Sequence, residues 1–154
     1  MSAHGAIIEW KRGDQPFLDK RYSRAHRWTF DGGAVVPASS APESVPTPMS
    51  DPSAVDPEEA MIASLSSCHM LWFLAFAAKA GLTVDSYHDA ASGELDRDET
   101  GARYLARVTL RPVTAFTGRR PDQAELDALH HEAHGHCEMA HSVRASITIE
   151  AALG

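Results

Sequence analysis

A chain of 154 residues with 44% hydrophobic content is the size of one domain, with apolar side chains enough for a core. A charged fraction of 23% is that of a folded chain, and a formal net charge of −7 argues against nucleic-acid binding through a general basic field. The start, Met1-Ser2-Ala3-His4-Gly5-Ala6, has neither the basic residues nor the apolar run of a secretory signal, so a soluble, cytoplasmic protein is expected.

In chain order, Ala6 to Lys11 is a short apolar run ending in charge, and Arg21 to Phe30 alternates as a strand does. Tyr22, Arg24, His26, Trp28 and Phe30 share one face of that strand, with Arg21 and Arg27 on the other. Asp31-Gly32-Gly33 predicts a tight turn, returning through Ala34 to Ala38 as a hairpin partner. Residues 37–57 carry six prolines among serines, which excludes a regular helix or central strand and predicts a long irregular loop. Asp56 then suits a helix N-cap, Pro57 the first helical position, and Gly81 the stop. Within that helix Met61, Leu65, Cys68, Trp72 and Ala75 form an apolar stripe. Ala60 to Leu82 is the one stretch long enough to span a membrane, but Ser64, Ser66, Ser67, His69 and Lys79 interrupt it, so it is expected to be a buried helix. Val84–Leu95 and Ala102–Phe116 read as two strands around a turn at Asp96–Gly101, with Tyr104, Ala106, Val108 and Leu110 on one face. Pro121 opens a second helix whose stripe is Leu126, Leu129, Ala133 and Cys137, and Arg144–Ala151 is a last strand. The order predicts an α+β fold, antiparallel sheet with two main helices, as a single domain over residues 1–154.

Each helix carries one of the two cysteines. By count alone, buried inert thiols are the plainest reading, and Cys68 on an apolar stripe fits it. The alternative is redox chemistry. A thiolate that attacks a peroxide needs a nearby cation, and its sulfenic acid needs a second thiol to escape over-oxidation.

The run Asp56-Pro57-Glu58-Glu59-Ala60, followed by Ser66-Ser67-Cys68-His69-Met70, resembles the OsmC/Ohr family of osmotically inducible and organic hydroperoxide resistance proteins. In that family an Asn/Asp-Pro-Glu motif opens the central helix and the reactive Cys follows ten residues after the Glu, the spacing of Glu58 and Cys68. A second Cys near the end of the second long helix matches at Gly135-His136-Cys137, and the likeness runs from about Tyr22 to Ile149. The resemblance implies a peroxidatic Cys68, a resolving Cys137, a Glu58 bonded to a catalytic Arg, and an intertwined homodimer with two sites at its interface. It further implies reduction of organic hydroperoxides through a Cys68 sulfenate and a Cys68–Cys137 disulfide, reopened by a separate dithiol reductant, with no cofactor. Ten residues of helix rise about 15 Å, so a Glu58 that organises Cys68 most simply comes from an antiparallel second copy. The sequence departs from the family at Glu138, where Pro usually follows the second Cys, and no motif fixes the Arg. Arg24 is the choice for its strand face with Tyr22 and His26, with Arg21 and Arg27 as alternatives.

Competing readings of the same residues remain open. Glu58 and Glu59 serve equally as carboxylates at a helix start, worth about 0.3–1 kcal/mol each. Arg24 is nearly as well explained as a solvated cation, and His26 and His69 as polar packing or site lining. His130 and His134, one helical turn apart, with Cys137 three residues on, suggest a metal-binding module, against the plainer surface histidine cluster. Trp72 and Met70 could instead line the pocket of a non-catalytic ligand-binding module; in a peroxidase they favour organic over hydrogen peroxide.

Overall fold

The computed structural model describes residues 1–154, which divide into two units, Met1–Ala60 and Met61–Gly154. In the first, β1 (Ala6–Glu9), β2 (His26–Phe30) and β3 (Val35–Ala38) form an antiparallel sheet in that order. The expected turn joins β2 to β3, with Gly33 at φ 86°, a left-handed conformation that suits glycine. Pro37 lies in β3 at the sheet edge, where a missing N–H is tolerated.

The strand expected from Arg21 is shorter and begins at His26. Other partners hold the preceding backbone: the Trp10 indole donates to the Ser23 carbonyl at 2.8 Å, and the Arg24 N–H to the Met49 carbonyl at 2.7 Å. The Tyr22 ring stacks on Phe17 at 4.6 Å and meets Trp10 edge-on at 5.4 Å. Arg24 therefore lies outside the strand, although Tyr22, Arg24 and His26 border the same pocket. Beyond Ala38 the proline-rich segment is irregular as expected, yet tied down: Ala38 bridges Val55, and the Ser39 hydroxyl accepts the Asp51 N–H at 3.0 Å.

Helix α1 (Pro57–Lys79) opens with a reciprocal cap. The Asp56 carboxylate accepts the Glu59 N–H at 2.7 Å, and Glu59 accepts the Asp56 N–H at 3.2 Å. It closes at Gly81 (φ 74°), where the Leu82 and Gly81 N–H groups each bond at 3.0 Å to the Ala77 and Ala78 carbonyls.

The two long strands expected next are four: β4 (Thr83–Asp89), β5 (Ser92–Arg97), β6 (Arg103–Leu110) and β7 (Pro112–Thr117). Asp89 marks the break, accepting the Arg111 N–H at 2.6 Å and the Ser66 hydroxyl at 2.5 Å. Each half then joins its own sheet. After α2 (Gln123–His136) and the single turn α3 (Glu138–His141), β8 (Ser146–Ile149) and β9 (Ala152–Leu153) complete the chain. β4 and β5 pair antiparallel with β7 and β6, and β9 and β8 add parallel to those, so the sheets are mixed. Asp122, rather than Pro121, starts α2: its side chain caps the Glu125 N–H.

Two apolar clusters form the second unit's core: Phe73, Ala77, Leu82, Leu126, Leu129 and Ala133, and Leu65 with Val108 and Leu110. The residues of α1 that go inside are Leu65, His69, Phe73 and Ala77. Of the stripe expected to be buried, only Leu65 is; Met61 is 44% exposed. By length and composition α1 could cross a membrane, and it is buried along one side only.

Candidate active site

The side of α1 left open carries Cys68. Ser64, Ser67, Cys68, Leu71, Trp72 and Ala75 line a groove of about 500 Å³ together with Glu138 and Met139 of α3. Cys137 lies between the helices rather than on α2: it is the C-cap of α2 and the N-cap of α3. Its sulfur accepts the Ala140 N–H at 3.4 Å, and it is 1% exposed. Both cysteines are free thiols, and Cys68 is near enough to Cys137 to influence its thiol. Burial first, and the neighbouring Cys68 second, push the Cys137 thiol up to about 11, so it is protonated at neutral pH.

Cys68 also meets Glu138, whose Oε2 lies 3.5 Å from its sulfur and accepts the Trp72 indole N–H at 3.1 Å. The Trp72 contact, more than any other, holds the Glu138 carboxyl below its usual range. Glu138 was legible only as a departure from the family pattern. Its approach to Cys68 links residues 70 apart in sequence, which local spacing cannot reveal.

Arg24 and Glu58 lie in the first unit. Arg24 stands 3.8 Å over the Tyr22 ring and donates to the Lys20 and Tyr22 carbonyls. It borders an apolar pocket of about 460 Å³ with Trp10, Phe17 and Tyr22. Arg27 is committed to Glu9 at 2.6 Å, and Arg21 is exposed. Glu58 is half-buried and makes no side-chain hydrogen bond or ion pair, so it is not joined to Arg24 in this chain; Glu59 is the capping residue. His26 is polar packing, its Nδ1–H donating to the Arg24 carbonyl at 2.7 Å while Nε2 accepts from Trp28 at 2.9 Å.

The histidine cluster does not assemble as a metal site. His130 turns inward, 2% exposed, and its Nδ1 shares a hydrogen bond with His69 Nε2 at 2.9 Å. No three His, Cys, Asp or Glu side chains are grouped to surround an ion. Desolvation first, and neighbouring histidines second, lower both His69 and His130 to about 4, so the pair is neutral.

No curated protein matches the chain. An OsmC-like protein of unknown function from Vibrio cholerae has the same fold at TM-score 0.96, with 47% identity over 99% of this chain and 100% of that one. An organic hydroperoxide resistance protein from Elizabethkingia anophelis follows at TM-score 0.73, with 15% identity, covering 100% and 96%. Another, from Bacillus subtilis, matches at TM-score 0.62, with 16% identity, covering 99% and 98%. These last two share the fold alone. The family model described as OsmC-like protein matches residues 50–152, from the proline-rich segment through both cysteines to the final strand, and this chain belongs to the OsmC-like family.

Proposed function

We propose that this protein is a cytoplasmic thiol peroxidase that reduces organic hydroperoxides. Family membership favours a peroxiredoxin-like peroxidase in general. The observation that carries the finer reading is the pair of neighbouring free thiols, Cys137 beside a Cys68 that opens onto an apolar groove. Two free thiols also suit a reducing compartment.

The Cys68 thiolate attacks the distal oxygen of the hydroperoxide; the O–O bond breaks, and the alkoxide takes a proton and leaves as the alcohol. Cys137 then attacks the Cys68 sulfenic acid, the S–O bond breaks, and water departs with the Cys137 proton. The disulfide is reopened by an external dithiol. The Cys137 thiol is protonated at rest and acts as a nucleophile only after Cys68 is oxidised. Leu71, Trp72 and Ala75 favour an organic substituent over bare hydrogen peroxide.

A homodimer completes the site. Arg24, oriented by Glu58, stabilises the thiolate and the leaving alkoxide. Glu58 reaches Cys68 from a second copy, since ten residues of helix place it about 15 Å away along its own chain. A fully active monomer in sedimentation would refute this part.

The test is turnover of cumene hydroperoxide with a dithiol reductant. Cys68→Ser is expected to abolish it; Cys137→Ser permits one oxidation and then stalls as the sulfenate. Full activity in Cys68→Ser overturns the assignment.

A further inference from the structure

Glu138 is the one charged side chain lining the Cys68 groove. A single carboxylate oxygen, Oε2, meets the Cys68 sulfur at 3.5 Å and the Trp72 indole N–H at 3.1 Å. Trp72 lies one turn beyond Cys68 on α1, and its own ring is held, stacked on Phe76 at 5.6 Å and packed on His136 at 5.2 Å. The carboxylate is thus pinned beside the sulfur from one side by Trp72. Its backbone is fixed by Cys137, the preceding residue, at the junction of α2 and α3.

A carboxylate accepts a hydrogen bond from a thiol but not from a thiolate. Once the proton leaves, two negative atoms face one another across the same gap. Glu138 is exposed, so water moderates the repulsion.

We propose that Glu138 is a positioning residue that acts through Cys68, holding the thiol proton at rest and so limiting the reactive thiolate at neutral pH. The idea rests on the peroxidase reading, with Cys68 as the nucleophile. It also explains how a tempered sulfur still meets its substrate. A hydroperoxide O–H can replace the S–H as donor to Glu138, and the oxygen carrying that hydrogen is the distal one that sulfur attacks. An electrophile without such a hydrogen gains nothing from the carboxylate.

The test is the rate of Cys68 alkylation by iodoacetamide against pH, in a Cys137→Ser background so that one thiol reports. Adding Glu138→Gln is expected to move the midpoint of the profile down by about one pH unit, making alkylation at pH 7 about tenfold faster. Trp72→Phe, which unpins the carboxylate, is expected to move it the same way by less. A midpoint unchanged or raised in Glu138→Gln overturns the proposal. If Cys68 is then still oxidised by cumene hydroperoxide, the peroxidase reading survives without it; a lowered midpoint with no oxidation by peroxide removes the peroxidase reading instead.

Discussion

Helix α1 has two apolar sides that do different work. One side, Leu65, His69, Phe73 and Ala77, is sealed in the core at 2% exposure or less. The other, Cys68, Leu71, Trp72 and Ala75, borders an open groove. Both hold a polar group among apolar neighbours. On the closed side it is the His69–His130 pair, kept neutral by burial; on the open side it is a thiol beside a carboxylate that an indole holds in place. The difference shows what a reactive sulfur needs: partners that share its proton, and a path for substrate.

The contrast predicts a graded set of responses. Phe73→Ala, on the closed side, empties space at a side chain with 0% exposure and is expected to cost about 3–5 kcal/mol of unfolding free energy. A cost below about 1 kcal/mol in urea denaturation would mean that this side is not the core. Acid comes next. His69 and His130 titrate near 4 in the fold against 6.5 for an unhindered histidine, so as pH falls below about 6.5 the unfolded chain takes up protons that the fold refuses. Stability is therefore complete above about 6.5 and is lost on the way down to about 4. Melting temperatures at pH 7 and pH 5 should differ clearly in the wild type, and less in His130→Leu. Removing the α2 cap with Asp122→Ala is expected to cost about 1 kcal/mol. Smallest of all, Leu71→Ser on the open side should change the chain's unfolding free energy by less than about 0.5 kcal/mol, since Leu71 is already 61% exposed. A large loss there in an unfolding series extrapolated to low protein concentration would erase the distinction between the two sides.

Much of this was legible in the sequence, for local reasons. Asp56, Pro57 and Gly81 mark the ends of α1 because caps are made by neighbours in the chain, and Glu59 completes the first cap three residues on. Alternation at Ala106, Val108 and Leu110 matches their burial in β6. The strand breaks were not legible, because the Asp89 carboxylate that sets them reaches Arg111 and Ser66, 22 and 23 residues away. Nor was the buried side of α1. The helix is apolar nearly all round, and only tertiary packing decides that Phe73 goes inside and Trp72 borders the groove. Spacing brought out Cys68 and Cys137, but not that Cys137 leaves α2 to cap α3. The strand expected from Arg21 begins only at His26, because a strand pattern cannot foresee that Met49 would claim the Arg24 N–H, yet Tyr22, Arg24 and His26 still border one pocket.

The central claim is that Cys68 and Cys137 operate as one redox pair. Peptide mapping after a single equivalent of cumene hydroperoxide addresses it most directly. The account predicts that both thiols disappear together and that one cross-linked pair of peptides, carrying Cys68 and Cys137, accumulates. Persistence of both thiols, or Cys68 driven to sulfinic acid while Cys137 stays free, would contradict it.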